Sequence, residues 1–84
     1  LAGVRVVDFT AFWAGPAATH SLAAFGADVI KIESVQRPDG IRYSGGMRKD
    51  VDDWWEYGWV FHAMNTNKRS VTLDLQSDEG LRLV

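Results

Sequence analysis

The first 33 residues hold the feature that most constrains this chain: a strand, a helix and a second strand in close succession. Gly3-Val4-Arg5-Val6-Val7-Asp8-Phe9 is short and rich in β-branched residues, which predicts a strand. Its nearly continuous apolar run is the pattern of a strand covered on both faces. After a brief loop, Pro16 suits the first helical position, where a missing N–H costs nothing. Ala17 to Phe25 are good helix formers, with Ala18, Leu22 and Phe25 on one face. Gly26 can supply the left-handed residue that ends a helix. Asp28-Val29-Ile30-Lys31-Ile32-Glu33 is the second strand. This is the βαβ pattern, whose crossover is almost always right-handed.

Residues 34–53 lose all periodicity and contain Pro38, Gly40, Gly45 and Gly46, which predicts a long loop. Trp54 to Met64 reads as a helix with Trp55, Trp59 and Ala63 on one stripe. Gly58 costs that helix roughly 1 kcal/mol. Ser70 to Leu75 alternates, placing Val71, Leu73 and Leu75 on one face of a third strand. Ser77 suits an N-cap, and Asp78 and Glu79 then complement the dipole of a following helix. The order β-α-β-loop-α-β-α predicts a layered α/β fold with a mostly parallel sheet.

At 84 residues the chain is one small domain or a piece of a larger one. It begins without Met and ends at Gly80-Leu81-Arg82-Leu83-Val84, in the first turns of a helix, so the expectation is a piece. A net charge of −2 gives no electrostatic reason to expect nucleic acid or an anionic membrane as partner. The absence of cysteine rules out disulfides, a thiolate nucleophile and cysteine metal sites. It fits a cytoplasmic protein. No apolar run approaches the roughly 18 residues that span a bilayer. Leu1 to Phe9 is too short and too charged for a signal peptide.

Two segments could carry chemistry. The turn from Thr10 to Pro16 lies where ligands collect in parallel sheets, and the helix start there offers free N–H groups to an anion. It lacks the GxGxxG spacing of a dinucleotide fingerprint, and on pattern alone a plain βα connection is the first reading. Asn65-Thr66-Asn67-Lys68-Arg69 sets two cations beside turn residues, which suits either a phosphate or a solvated loop. His20 and His62 have no ligand-like spacing, so no metal site is expected. Asp8 and Asp28 stand at strand termini, where Asp commonly bonds turn amides. The dense aromatic cluster from Trp54 to Phe61 reads as packing surface. Asp50, Asp52, Asp53 and Glu56 oppose a nucleic-acid stacking role for it.

The wording of the sequence goes beyond its periodicity. Leu1-x-Gly3-Val4-Arg5-Val6-Val7-Asp8-Phe9-Thr10, then Ala14-Gly15-Pro16, then Phe25 to Glu33, resembles the N-terminus of class III coenzyme A transferases, the CaiB/BaiF type. Asn65-x-Asn67-Lys68-Arg69-Ser70-Val71-Thr72-Leu73-Asp74-Leu75 and Ser77-x-Glu79-Gly80 resemble that family's next block. The order and gaps agree, and the matches run along nearly the whole chain except the loop at residues 36–53.

The resemblance implies that residues 1–84 form the N-terminal part of a large, Rossmann-like CoA-binding domain, with a variable loop at about 34–53. It implies acyl-CoA and carboxylic acid substrates, no metal, and an interlocked homodimer in the full-length protein. Transferases of this kind move CoA between carboxylic acids through an Asp-linked acyl intermediate, with a carboxylate as nucleophile. A racemase branch, acting on 2-methylacyl-CoA with a His and Asp pair, shares these blocks. No Asp in this chain matches the nucleophile position. The piece alone is therefore expected to be inactive, and a non-catalytic module acting by self-association is the rival reading.

Positions implied to touch CoA are Trp13 and Ala14 at its reactive end, Ser34 after the second strand, and Leu73, Asp74, Leu75 and Gln76 beside the adenine. Ser34 stands where an Arg is common, with Arg37 as a candidate substitute, and Gln76 stands where a Lys is common. Trp13 replaces a smaller or polar residue, which narrows the acyl pocket and points away from small oxalate-type acids.

Overall fold

In the computed structural model, residues 1–43, 52 and 54–84 are described. Three parallel strands form one sheet in the order β1 (Arg5–Asp8), β2 (Asp28–Glu33), β3 (Arg69–Thr72). Val6 lies beside Val29, Asp8 beside Lys31, and Glu33 beside Thr72. Between β1 and β2 runs α1 (Ala14–Ala24), α2 (Trp59–Met64) precedes β3, and α3 (Asp78–Leu83) follows it. Single 3₁₀ turns occupy Gly40–Tyr43 and Trp54–Tyr57. The parallel α/β architecture is the one the element order predicts, and β2 has the predicted bounds.

Helix α1 starts two residues before Pro16, on Trp13 as N-cap. Pro16 thus sits in the third position of the first turn, where N–H groups have no intrahelical acceptor in any case. At its far end Gly26 adopts φ +99°. Its N–H bonds Ala23 O (3.0 Å), and the Ala27 N–H bonds Leu22 O (3.0 Å), a Schellman closure. The helix turns Pro16 and Ala23 inward rather than the expected Ala18, Leu22 and Phe25, which remain exposed. Ala23, Ala27 and Val29 form the core against Val6, and small residues let the helix backbone approach the sheet.

Two further expectations are corrected. Part of the region read as loop is interior: Ile41 is fully buried, and Asp39 and Arg42 nearly so. Residues 44–51 and 53 of that loop lie outside the described residues. The expected helix from Trp54 is broken at Gly58, the extended N-cap of α2. A Cβ at Gly58 would stand 3.2 Å from Arg42 O, so the two segments cross there at close range. Val60 becomes the buried residue of α2, and the stripe of Trp55, Trp59 and Ala63 faces outward.

The two sheet faces differ in kind. Strand alternation puts Val6, Asp8, Val29, Lys31, Glu33 and Thr72 on the face beneath α1. Val7, Ile30, Ile32 and Val71 lie on the other, which no helix among the described residues covers: Val7 is 45% exposed and Val71 37%. Among the described residues β1 is covered on one face. Asp8, Lys31 and Glu33 lie under the helices beside Val6 and Val29, while the open face carries aliphatic residues beside the Arg5–Asp28–Arg69 cluster.

Candidate functional site

Parallel pairing brings the carboxyl ends of all three strands to one edge, and a cleft of about 480 Å³ opens there. Of the residues singled out from sequence, Ser34, Arg37, Asp74, Leu75 and Gln76 line it. Trp13, Ala14 and Leu73 do not. Trp13 stands 54% exposed at the start of α1, and Ala14 is the first residue of that helix. Leu73 continues the pairing of β3, its N–H donating to Glu33 O at 3.0 Å. The Ser34 hydroxyl accepts from the amides of Gln36 (3.1 Å) and Arg37 (3.3 Å), so it shapes the turn after β2. The exposed Arg37 makes no ion pair among the described residues, which leaves its guanidinium available to an anion. Asp74 shapes the opposite wall: its carboxylate accepts the Gln76 amide (3.0 Å). Its carbonyl accepts the Ser77 amide (3.2 Å) and hydroxyl (2.9 Å). Ser77 in turn caps α3 by accepting from the Gly80 N–H (3.0 Å), as expected.

Three further residues build the cleft: Lys31 and Asp39, which sequence reasoning did not single out, and Phe12, within the candidate turn from Thr10 to Pro16. Lys31 and Asp39 meet at 2.8 Å with both side chains 2% exposed. Phe12 adopts φ +71°, and its ring lies over Gly40, where a Cβ would come within 2.1 Å of the ring tip. The one signal for Lys31 was a lysine centred in an apolar strand, a position that needs a buried partner.

Around the cleft lie two further ion pairs, Asp8–Lys68 and Glu33–Arg42. Asp8, the end of β1, accepts from the Thr10 amide (2.8 Å) and hydroxyl, the Thr19 hydroxyl (2.7 Å) and Lys68 Nζ (3.0 Å). Burial works to raise its pKa, but the hydroxyl and amide donors and Lys68 outweigh it and hold the value at about 2. Lys68 also donates to Pro16 O (3.1 Å) and Asn65 Oδ1 (2.7 Å), and burial lowers its pKa. Glu33 holds Arg42 through two bonds (2.8 and 2.9 Å) and accepts the Asp39 amide (2.9 Å). Burial opposes ionisation of Glu33, and Arg42 with the Asp39 amide reverses that, so its pKa is lowered. The Arg42 guanidinium also stacks 3.6 Å above the Phe61 ring.

The phosphate reading of Asn65 to Arg69 is thereby corrected. Lys68 is consumed by Asp8, and Arg69 joins Arg5 in clasping Asp28 across the sheet (2.8 and 2.9 Å). Asp8 bonds a turn amide as its strand-end position suggests, whereas Asp28 bonds arginines. Among the described residues no group of three or more His, Asp or Glu could hold a metal ion, and no helix is long and apolar enough to cross a membrane.

This geometry has counterparts. A formyl-CoA:oxalate CoA-transferase of Rhodopseudomonas palustris (strain TIE-1) is 45% identical over 80 residues, covering 95% of this chain and 18% of that protein. One from Streptomyces coelicolor is 41% identical over 86 residues, covering all of this chain and 19% of its own. A CaiB/BaiF family protein from Brucella suis, whose crystal structure is known, superposes with a TM-score of 0.78 at 37% identity, over 98% of this chain and 21% of that one. A hypothetical protein from Mycobacterium tuberculosis superposes with a TM-score of 0.76 at 31% identity, over 99% and 21%. The chain thus spans about a fifth of the length of these relatives. The sequence model of CoA-transferase family III matches residues 1–84 in full, and the chain belongs to that family.

Proposed function

We propose that this chain is the N-terminal part of the CoA-binding, Rossmann-like domain of a CoA-transferase that moves CoA between carboxylic acids. One observation carries the reading: five of the eight residues implied to touch CoA converge on one cleft at the carboxyl edge of a parallel sheet. Arg37 supplies the cation for a CoA phosphate, replacing the Arg absent at Ser34. Gln76, Leu75 and Asp74 form the adenine side. Trp13 and Ala14, at the helix start, border the thioester end. Trp13 favours an acyl group other than the smallest diacids.

The acyl-carrying carboxylate comes from outside these 84 residues. Asp8 is fully engaged by four donors, Asp28 by two arginines and Asp74 by a turn amide, so each has a structural task. The relatives named for formyl-CoA:oxalate transfer favour the transferase branch over the racemase. The full-length protein is proposed as an interlocked homodimer working in the cytoplasm.

Titration calorimetry with CoA, on the 84-residue chain and on the full-length protein carrying it, tests the reading. The full-length protein is expected to bind. Arg37→Ala is expected to weaken binding about 10-fold or more, the worth of a charge-assisted hydrogen bond. No binding by either protein refutes the reading.

A second reading rests on the open aliphatic face of Val7, Ile30, Ile32 and Val71: the chain by itself acts as a self-associating, non-catalytic module. Light scattering decides it, and a clean monomer refutes it.

A further inference from the structure

The turn between β1 and α1 is gripped at both ends by a single buried ion pair. Lys31 Nζ donates to Thr10 O at 2.9 Å, and Asp39 Oδ1 accepts the Phe12 N–H at 3.0 Å. Lys31 and Asp39 are themselves bonded at 2.8 Å, and the same Asp39 oxygen accepts the Ile41 N–H (3.0 Å). The Asp39 backbone is fixed in turn by Glu33 Oε2 (2.9 Å), which also holds Arg42. Within this grip Phe12 takes a left-handed backbone conformation that a phenyl side chain adopts only when its surroundings enforce it. Its ring, half exposed, closes over Gly40 and lines the cleft.

We infer that Asp39 is a positioning residue that holds the Phe12 turn, and with it the cleft wall next to Trp13 and Ala14, in a fixed strained conformation. The chemistry of the contact supports this. An ion pair with both partners buried is a poor substitute for apolar packing as a source of stability, whereas its bonds are directional. Here the directional bonds end on the one turn whose backbone departs from ordinary geometry. Without the Asp39 acceptor the Phe12 N–H loses its partner, and φ relaxes to a negative value. The ring then leaves Gly40, and the adjoining Trp13 moves with it. The consequence for turnover rests on the function proposed above, since that reading sets the thioester end of CoA at this turn.

The test uses the full-length protein with two variants, Asp39→Ala and the double variant Lys31→Met/Asp39→Asn. The double variant removes both charges and keeps an amide oxygen for the Phe12 N–H. Hydrogen exchange is read at the Phe12 amide and, as reference, at Val29 and Ile32 in β2. In Asp39→Ala, Phe12 exchange is expected to rise on the order of 100-fold while the β2 amides stay within about 3-fold. CoA transfer is expected to lose ~10–100-fold in kcat with little change in KM for acyl-CoA, the signature of a misplaced wall. The double variant is expected to restore Phe12 protection and most of kcat. Unchanged Phe12 exchange in Asp39→Ala overturns the inference. So does equal loss of protection through β2, or a double variant as impaired as Asp39→Ala. A wild-type protein without CoA binding or transfer refutes the proposed function instead, and the exchange measurement still decides the role of Asp39.

Discussion

Removing either partner of the Asp8–Lys68 pair should cost far more than removing both. The two groups meet at 3.0 Å, with side chains 0% and 2% exposed. At an effective dielectric constant near 20, the gross attraction at that distance is about 5–6 kcal/mol, most of it offset by desolvation. Asp8→Asn leaves the Lys68 ammonium buried without a counter-charge, among neutral acceptors such as Pro16 O and Asn65 Oδ1. Breaking a buried pair in this way costs about 3–5 kcal/mol. Lys68→Met leaves the Asp8 carboxylate three other bonds, from the Thr10 amide and the Thr10 and Thr19 hydroxyls, so its cost belongs at the lower end, about 2–3 kcal/mol. The double variant carries no buried charge at this place and should lose only about 1–2 kcal/mol. Urea unfolding followed by tryptophan fluorescence on wild type, both single variants and the double variant completes the cycle. A coupling energy of about 3 kcal/mol or more is expected. A value below about 1 kcal/mol would show that the two charges act independently, and would refute the treatment of the ionic layer as a unit.

Acid should unfold the protein through the same layer. Asp8 drops to about 2 on folding, and the pKa values of Glu33, Asp39 and Asp28 are lowered as well. Groups with depressed folded values stabilise fully above their unfolded values, near 4, and lose that contribution as pH falls toward the folded ones. The melting temperature should therefore fall steeply between about pH 4.5 and pH 2, and a flat profile over that window contradicts the assignment. Gly80→Ala would place a Cβ 1.8 Å from Asp74 O, so the Asp74–Ser77 turn must move; CoA affinity and melting temperature should fall together. Ser77→Ala removes the cap of α3 and should cost about 1 kcal/mol in urea titration. Val7→Lys on the open face should suppress association of the 84-residue chain in light scattering while leaving its circular dichroism intact.

How much of this was legible in the sequence depends on the range of the interaction involved. β2, the Gly26 helix end and the Ser77 cap came out as read, because each is decided within five or six residues. The inward face of α1 was misread because hydrophobicity marked Leu22 and Phe25, whereas the sheet selects small residues that let backbones approach. The Trp55–Trp59 stripe failed for another reason. Gly58 is needed for a close crossing with Arg42 O, a long-range demand that helix periodicity does not register. Asp39, Ile41 and Arg42 sat in a segment without periodicity and looked like surface, since their partners Lys31 and Glu33 lie on a strand. The family resemblance supplied the candidate site residues, and five of the eight meet in the cleft. Phe12 lay within the candidate turn from Thr10 to Pro16, but its left-handed backbone leaves no local mark in the sequence.

The placement of Lys31 and Glu33 on one face of β2 and of Ile30 and Ile32 on the other also acts as a proofreader of strand alignment. Side chains alternate with a period of two, so a slip of β2 by a single residue would carry Lys31 and Glu33 among Val7 and Val71. The same slip would push Ile30 and Ile32 against Asp8 and its ammonium partner Lys68. A sheet with hydrocarbon on both faces would tolerate that error at the cost of imperfect packing. Here a one-residue slip strands several charges away from their partners, so the native alignment is separated from those nearest alternatives by a wide energy gap.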